Sequence, residues 1–327
     1  MNPLSGERYE IVRGQYTATV SSIGASLASL THADRSLTVP FSEDEIRPYF
    51  RGATLAPWPN RIANGQYQFH DVVNLLPITE PSRGHALHGL AAWLNFSKIR
   101  HGSDHVSLGA TIEAQTGYPH RIDVRVTYQL LDEGLNCEIV GTNTGPTVAP
   151  YGASTHPYLV AGPSKLDEWT LTIPAASYLE TDETLIPTRE VLANDPEFGK
   201  LDYRSGRKIG RQFIDHAFGR LDRTPDGLAT VRILDGNGEG VAMSWDQASP
   251  WVQIHTADLP EPLPSRIGLA VEPMTCAPNA FNTGADLQEL ESGQSSRMSW
   301  SIQNLHGNEL PRLERSAHKA PKSIPAE

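Results

Sequence analysis

The segment RIDVRVTYQL, residues 121–130, alternates apolar and polar side chains along its whole length. In an extended chain successive side chains point to opposite sides, so the apolar members share one face. They are Ile122, Val124, Val126, Tyr128 and Leu130. A period of two predicts a β-strand with one buried and one solvated face, the pattern of antiparallel sheets. LNCEIV at 135–140 continues it after a turn-like segment at 132–134.

The same alternation recurs through the chain, in WTLTI (169–173), LATVRIL (228–234), VAMSW (241–245) and RMSWSI (297–302). The 27 glycines and 25 prolines interrupt the chain too often for long helices. DGNG at 235–238 lies between two alternating runs and predicts a hairpin.

Helical signals are few. SEDEIRPYFRG at 42–52 predicts one short helix, with Ser42 as its N-cap and acidic residues in its first turn. The chain has neither a βαβ pattern nor a Gly-x-Gly-x-x-Gly opening a helix, which argues against a nucleotide-binding α/β fold. The sequence therefore predicts an all-β fold, a large antiparallel β-sandwich, as one domain over residues 1–310. The polar tail at 311–327 is expected to be flexible.

Composition narrows the range of partners. The formal charge of −11 and pI of about 5.5 argue against nucleic-acid binding, which needs clustered Lys and Arg. The acidic balance gives no reason to expect an anionic membrane as partner, and no apolar stretch is long enough to span one. The start, MNPLSGERYE, lacks a signal-peptide pattern. Cys137 and Cys276 are too few for a disulfide framework, so we expect a reduced, cytoplasmic protein.

Polar residues capable of chemistry lie at strand ends and in loops. They are Arg61 in NRIANG, His85 and His88 in RGHALHGL, His156 and Tyr158 in STHPYLV, Asp215 and His216 in IDHAFGRLD, Gln253 and His255 in WVQIH, and Glu272 in VEPMTCAPNAFN. Each alone has an ordinary structural interpretation, such as a surface ion pair or a turn contact. Glu272 ends the apolar run IGLAV (267–271) and precedes two prolines, so we expect a rigidly held carboxylate at the floor of a cleft.

Other constellations are weaker. His85, His88, His156 and His255 would be candidates for a metal site, but no His-Glu-x-x-His motif is present, and we predict no metal. A serine nucleophile would need a Gly-x-Ser-x-Gly elbow, which is absent. Cys276 has no Cys-His motif beside it and is better interpreted as a small packing residue.

In its order of motifs the chain resembles the aldose 1-epimerases, or galactose mutarotases. The resemblance rests on NRIANG, HALHGL, HPY, IDHAF and VEP followed by APNAFN, and extends from about residue 8 to residue 305. It implies a galactose mutarotase-like β-sandwich with a wide cleft. It also implies an isomerase that needs no cofactor and acts on a small aldose sugar, as a monomer or homodimer.

The resemblance implies roles residue by residue. Glu272 matches the catalytic base, His156 the catalytic acid and His88 a second active-site histidine. The substrate-binding matches, which would hold sugar hydroxyls or the sugar ring, are Arg61, Asp215, Gln253, Asn60 and Tyr158. An ordinary histidine pKa near 6.5 would suit His156 as a proton donor. Sugar-stacking candidates are Trp58, Trp93, Tyr158 and Trp251.

Two departures leave the sugar open. His-Pro-Tyr-Leu replaces the more familiar His-Ser-Tyr-Phe, and His-Gly-Leu replaces His-Gly-Gly at 88–90. The expected activity is interconversion of the α and β anomers of free hexoses such as glucose or galactose. One alternative is a hexose-6-phosphate epimerase, with Arg51, Arg83 or Arg220 at the phosphate. Another is a sugar-binding protein without turnover.

Overall fold

A computed structural model describes residues 3–197, 199–260 and 262–306. The strands of its first part are β1 (Arg8–Arg13), β2 (Tyr16–Ser21), β3 (Ser26–His32), β4 (Arg35–Ser36), β5 (Thr54–Leu55), β6 (Arg61–Ile62), β7 (Gln66–Phe69), β8 (Val72–Leu75), β9 (Ala86–Leu87), β10 (Ser97–His101), β11 (His105–Ile112), β12 (Ile122–Leu131) and β13 (Gly134–Asn143). Those that follow are β14 (Ala149–Tyr151), β15 (Ser154–Thr155), β16 (Tyr158–Leu159), β17 (Thr170–Thr172), β18 (Ala175–Thr181), β19 (Pro187–Leu192), β20 (Arg207–Lys208), β21 (Asp215–Leu221), β22 (Ala229–Leu234), β23 (Glu239–Trp245), β24 (Trp251–His255), β25 (Leu269–Met274), β26 (Gln288–Leu290) and β27 (Ser295–His306).

Helices are short. Among the described residues, four are single 3₁₀ turns, at Pro48–Phe50, Ala63–Gly65, Ala91–Trp93 and Leu166–Glu168, and one four-residue α-helix, α1, spans Ala280–Thr283.

These strands form antiparallel sheets. A nine-stranded sheet has the order β10-β11-β12-β13-β27-β23-β22-β17-β20. An eight-stranded sheet has the order β19-β18-β21-β24-β25-β15-β5, with β16 also paired to β25. The first four strands form a smaller sheet, and β14-β26, β6-β9 and β7-β8 are two-stranded. The predicted class, a large antiparallel β-sandwich with few short helices, is confirmed.

Alternation builds the core as the sequence predicts. All five apolar residues of 121–130 are buried, while the residues between them are exposed or half-buried. Side chains of both large sheets belong to the same apolar cluster, for example Val126 of β12 and Val271 of β25. Burying a side chain of that size stabilises the fold by roughly 1.5–3 kcal/mol. The buried hydroxyl of Tyr128 donates to the carbonyl of Ala25 at 2.8 Å, so it costs little to desolvate.

The predicted hairpin at 235–238 is also confirmed, because it joins β22 to β23 with Leu234 opposite Gly240. Cys137 and Cys276 are both buried and unpaired, as expected. Within the described ranges no helix has the length and apolarity to cross a membrane. The predicted tail at 311–327 lies outside the described residues.

The helix predicted at 42–52 is wrong. Ser42 closes a turn instead: its Oγ accepts the amide of Asp44, and its own amide donates to Glu45. Only Pro48–Phe50 is helical, as a 3₁₀ turn whose second residue, Tyr49, has left-handed backbone angles. Pro48 suits the first position of a short turn but lacks the amide hydrogen that a longer helix would require of it.

The expected position of Glu272 also needs correction. It lies inside β25, not after it, and Pro273 continues the strand opposite Val252. The loop that follows contains α1, flanked by the left-handed residues Asn279 and Gly284. The carboxylate is therefore held by sheet pairing as well as by the apolar run.

Gly52 tests the tight backbone packing of the segment that follows the 3₁₀ turn at Pro48–Phe50. Its φ is +67°, and a Cβ there would overlap the backbone carbonyl of Leu27. We predict that Gly52→Ala lowers the free energy of unfolding by about 2–4 kcal/mol, from left-handed strain plus the overlap. Gly14→Ala is the control, because Gly14 has φ +57° in open space and should cost only about 1–2 kcal/mol. Urea denaturation measures both, and equal losses would contradict the predicted overlap.

Candidate active site

The outer face of the eight-stranded sheet carries four polar side chains. Alternate residues of β24 and β25 join the core, so the intervening ones point the other way. Gln253 of β24 pairs with Glu272 of β25, and Asp215 of β21 pairs with His255 of β24. Period two and strand register thus place these four side chains, which lie far apart in the sequence, on one patch.

His156 reaches the same patch from the link between β15 and β16. Its Nε2 lies 3.4 Å from Oε1 of Glu272, and the two residues are only 5% and 1% exposed. Burial and the neighbouring Asp215 carboxylate raise the pKa of Glu272 well above its usual value, against a smaller opposing effect of Arg61. Burial, aided by His255, lowers the pKa of His156 to about 3.

The expectation of an ordinary pKa near 6.5 for His156 is therefore wrong. Burial removes the hydration that stabilises an imidazolium, and it acts in the same sense on the Glu272 carboxylate. Burial therefore shifts both partners toward their neutral forms, a protonated carboxyl and a neutral imidazole. Oε2 of Glu272 and Nδ1 of His156 are buried and have no hydrogen-bond partner among the described residues.

His88 comes from a second layer of loops. The motifs NRIANG and HALHGL pair as β6 and β9, with Arg61 opposite Leu87. The amide of Asn60 donates to Nδ1 of His88 at 3.3 Å, which leaves the ring hydrogen of a neutral imidazole on Nε2. The His88 and His156 rings lie 5.2 Å apart, edge to face. Burial lowers the pKa of His88 well below its usual value, and the neighbouring His156 and Arg61 act in the same direction.

Arg61 is fixed by a residue that the sequence does not single out. Its Nε and Nη2 donate to the two carboxylate oxygens of Glu80 at 2.7 and 3.0 Å. Arg83 adds a second, more exposed contact to Glu80 at 2.7 Å. Although burial alone would raise the pKa of Glu80, the two guanidiniums outweigh it and lower that pKa. Nη1 of Arg61 lies 3.4 Å from Oδ1 of Asn60. Asn60, which the sequence predicts to bind substrate, therefore also supports the Arg61 side chain.

The APNAFN loop is joined to the NRIANG loop. The amide of Asn279 donates to the carbonyl of Arg61 at 2.9 Å, and Oδ1 of Asn279 accepts the amide of Ala63 at 3.1 Å. These contacts connect the loop that follows Glu272 to the loop that carries Arg61. Two of the motifs identified in the sequence are therefore parts of one wall.

Asp215 lies at the more open side of the patch. Its Oδ1 accepts from Nε2 of Gln253 at 2.6 Å, and its Oδ2 lies 3.6 Å from Nδ1 of His255. Oε1 of Gln253 is buried without a hydrogen-bond partner in the described part of the chain. Carboxylate and amide groups in this arrangement can accept and donate hydrogen bonds to hydroxyl groups of a ligand.

Aromatic rings surround the two imidazoles. Tyr158 stacks on His156 at 5.2 Å. Phe50, which the sequence did not indicate, lies 4.7 Å from the His88 ring and 6.4 Å from the His156 ring. Trp58 is buried in the core and is not a stacking platform.

Two further candidates for stacking have other partners. The exposed Trp93 ring packs under the guanidinium of Arg47 at 4.4 Å. Trp251 donates from Nε1 to Asp286 at 2.7 Å.

The histidines do not assemble as the four-histidine alternative would require. His85 accepts the amide of Asn64 through Nδ1, and His255 faces Asp215. Donor atoms of His88, His156 and Glu272 lie within 4.8 Å of one another, a spacing that could also accommodate a metal ion. The same three residues include the Glu272–His156 contact described above.

A buried carboxyl–imidazole pair beside groups that can bind hydroxyls has the chemistry of a general acid and base. The sequence model of the family described as aldose 1-epimerase matches residues 7–303. The chain belongs to the aldose 1-epimerase family, and it is an isomerase that acts on carbohydrates.

Individual relatives agree. YihR of Escherichia coli (strain K12) is 36% identical over 299 residues, covering 91% of this chain and 93% of YihR. Galactose mutarotase of Rattus norvegicus is 30% identical over 200 residues, covering 56% of each chain. The crystal structure of the GalM/aldose epimerase homologue from C. elegans superposes with a TM-score of 0.81 at 21% identity, covering 92% of this chain and 99% of that one. That likeness shows the shared fold.

The Arg61–Glu80 pair is open to a direct test. Its side chains are only 9% and 10% exposed, so removing the carboxylate leaves a buried, uncompensated guanidinium. We predict that Glu80→Ala lowers the free energy of unfolding by about 3–5 kcal/mol. Arg83→Ala removes the outer partner, whose side chain is 40% exposed, and should cost no more than about 1 kcal/mol. Chemical denaturation measures the free energy of unfolding of both variants. Similar losses would contradict the distinction between a buried and an exposed ion pair.

Proposed function

We propose that this protein is an aldose 1-epimerase that interconverts the α and β anomers of free hexoses such as glucose or galactose. The observation that carries the proposal is the buried contact of 3.4 Å between Oε1 of Glu272 and Nε2 of His156. His88, Arg61, Asp215 and Gln253 would surround the sugar there. The galactose mutarotase relatives support the reaction type.

Interconversion of anomers requires the ring to open. One group takes the proton of the C1 hydroxyl while another protonates the ring oxygen, and the bond from C1 to the ring oxygen breaks to give the open-chain aldehyde. Rotation about C1–C2 followed by the reverse transfers closes the ring on the other face. Glu272 would act on the C1 hydroxyl and His156 on the ring oxygen.

The proton count of the pair suits this cycle. A carboxyl with a neutral imidazole holds as many protons as a carboxylate with an imidazolium. Transfer across the 3.4 Å contact converts the first state, favoured by burial, into the second. Ring opening returns the pair to the first state, and ring closure reverses the change. The pair therefore needs no proton from solvent in either direction.

The remaining groups would hold the sugar. Nε2–H of His88 can donate to a developing charge on the substrate oxygens. Arg61, oriented by Glu80, and Asp215, oriented by Gln253, can bind ring hydroxyls. Because these side chains are fixed before the sugar arrives, orientation costs little during turnover.

The central test is Glu272→Gln. Glutamine keeps the shape of the side chain but can neither accept nor return the proton, so kcat should fall by about 10²–10⁴-fold while the protein remains folded. Polarimetry with freshly dissolved α-D-glucose or α-D-galactose measures the rate, and circular dichroism checks the fold. His156→Asn should lose activity to a similar degree.

A matched control is Glu289→Gln, which alters an exposed glutamate whose oxygen lies 3.4 Å from His70 on the surface. Its kcat should equal that of the wild type. Wild-type turnover in Glu272→Gln would refute the assigned base. Binding of aldose by the wild-type protein without any acceleration would instead support a sugar-binding protein.

A second candidate substrate is a hexose with an anionic group at C6, such as phosphate. Of the three arginines considered from the sequence, Arg83 is paired with Glu80 and Arg220 with Glu190. Arg51 is only 8% exposed and donates to the carbonyl of Pro40 at 3.3 Å, and it forms no ion pair with a carboxylate among the described residues. Its guanidinium lies 5.8 Å from the ring centroid of Tyr158, beside the site. A buried arginine beside the site that has no carboxylate partner in the described part of the chain favours a substrate with an anionic group.

Glucose and glucose 6-phosphate separate the two substrates. If Arg51 binds the anion, the wild-type protein prefers the phosphorylated sugar. Arg51→Met then lowers kcat/KM for glucose 6-phosphate about tenfold or more and leaves kcat/KM for glucose unchanged. Arg220→Met is the control, because this arginine is exposed and paired on the surface. Equal kcat/KM values for the two sugars in the wild type would rule out the anionic substrate.

A further inference from the structure

We infer that Phe50 is a substrate-contacting residue, whose ring packs against the apolar C–H face of the pyranose and helps to select sugars that present such a face. This inference rests on the proposed function and deepens it. No motif in the sequence points to Phe50, and its assignment comes from the backbone and ring geometry of the segment 48–53.

The backbone fixes this segment to the acid–base pair. The amide of Gly52 donates to the carbonyl of His156 at 2.8 Å, and the amide of His156 donates to the carbonyl of Ala53 at 3.0 Å. The amide of Ala53 in turn donates to the carbonyl of Phe50 at 2.9 Å. Phe50 therefore has a fixed position relative to the His156 imidazole.

The backbone at Phe50 is strained. Tyr49 and Phe50 have φ values of 47° and 57°, in the left-handed region that bulky residues rarely adopt. Each such residue costs about 1–2 kcal/mol relative to a right-handed conformation. Strain of this kind persists where the surroundings hold it in place, and it concentrates at functional sites. Here it directs an aromatic ring toward two imidazoles.

The ring has one packed side and remains half-exposed. It meets the His88 ring at 61° and lies nearly parallel to the His156 ring, at 22°. The other two aromatic neighbours already contact protein groups, although the Trp93 ring is itself exposed. Tyr158 is 5% exposed, with its hydroxyl bonded to the carbonyl of Tyr49, and Trp93 lies under Arg47.

A pyranose whose C1 hydroxyl and ring oxygen face Glu272 and His156 would lie beside the Phe50 ring, which is 6.4 Å from the His156 ring. One face of a hexopyranose is rich in C–H groups, and burying them against an aromatic face is favourable. The contact would form equally in the ground and transition states, because an apolar ring exchanges no proton with the substrate and faces no developing charge. Loss of the ring should then weaken binding and leave the chemical step largely unchanged.

The test combines turnover with binding. Polarimetry gives KM and kcat for D-glucose or D-galactose. The inhibition constant of 1,5-anhydro-D-glucitol, a pyranose without an anomeric hydroxyl, reports binding without turnover. Phe50→Leu keeps an apolar side chain but removes the flat ring, and should raise KM and the inhibition constant together, about tenfold, with little change in kcat.

Two variants serve as references. Phe50→Tyr keeps the flat ring and should recover most of the lost affinity. Phe69→Leu removes a phenylalanine that also stacks on a histidine, His70 at 4.2 Å, but outside the site, and should leave both constants unchanged. If Phe50→Leu unfolds, Phe50→Gly provides the same loss of the ring while relieving the left-handed strain.

The outcomes separate this inference from the proposed function. An active wild type whose KM and inhibition constant do not change in Phe50→Leu overturns the contact. A fall in kcat at an unchanged inhibition constant also overturns it, and shows that the ring only shields the imidazoles. If the wild type is inactive, the epimerase proposal fails. Calorimetric sugar binding then decides the contact: weaker binding in Phe50→Leu supports it, and unchanged or absent binding overturns it.

Discussion

A carboxyl group and an imidazole buried together at 3.4 Å constrain everything that surrounds them. An isolated charge in such a place is costly, so burial favours the neutral forms of both groups. This condition requires a dry surrounding, to which the ring of Tyr158, stacked on His156, contributes. Both side chains must also be held in fixed positions. Strand pairing of β25 holds Glu272, and backbone hydrogen bonds hold His156.

A second condition concerns the loops outside the sheet. They place the Arg61 cation near Glu272, and its charge must not favour ionisation of the Glu272 carboxyl. Arg61 tends to lower the pKa of Glu272, yet its own charge is matched by the two oxygens of Glu80. The loop after Glu272 is bonded to the Arg61 loop through Asn279. The contacts that hold these loops together are therefore also those that hold the proposed site.

Much of this could be predicted from the sequence, for identifiable reasons. Alternation predicts strands because it is a local property, as in 121–130, and the spaced motifs located His156, Glu272 and His88. Glu80 was missed because its partner lies 19 residues away and neither residue carries a local signal. Phe50 was missed because a left-handed conformation at a non-glycine residue has no sequence signature.

The errors share a cause. Pro273 suggested the end of a strand, but β25 continues through it, with its carbonyl accepting from Oγ of Ser154 at 2.7 Å. An ordinary pKa was expected for His156 because the sequence does not show that its ring is buried. Proton affinity and strand length both depend on tertiary surroundings that no single segment specifies.

The most direct test of the account is the protonation state of His156 in the free protein. Nitrogen-15 NMR of labelled histidines, with His156→Asn to assign the signal, reports whether the imidazole carries one proton or two. A pKa lowered to about 3 predicts a neutral ring throughout the range from about pH 5 to pH 9, because the protonated form appears only as the pH falls toward that value. A signal that titrates near pH 6.5 would show an ordinary, hydrated imidazole and would contradict the buried neutral pair.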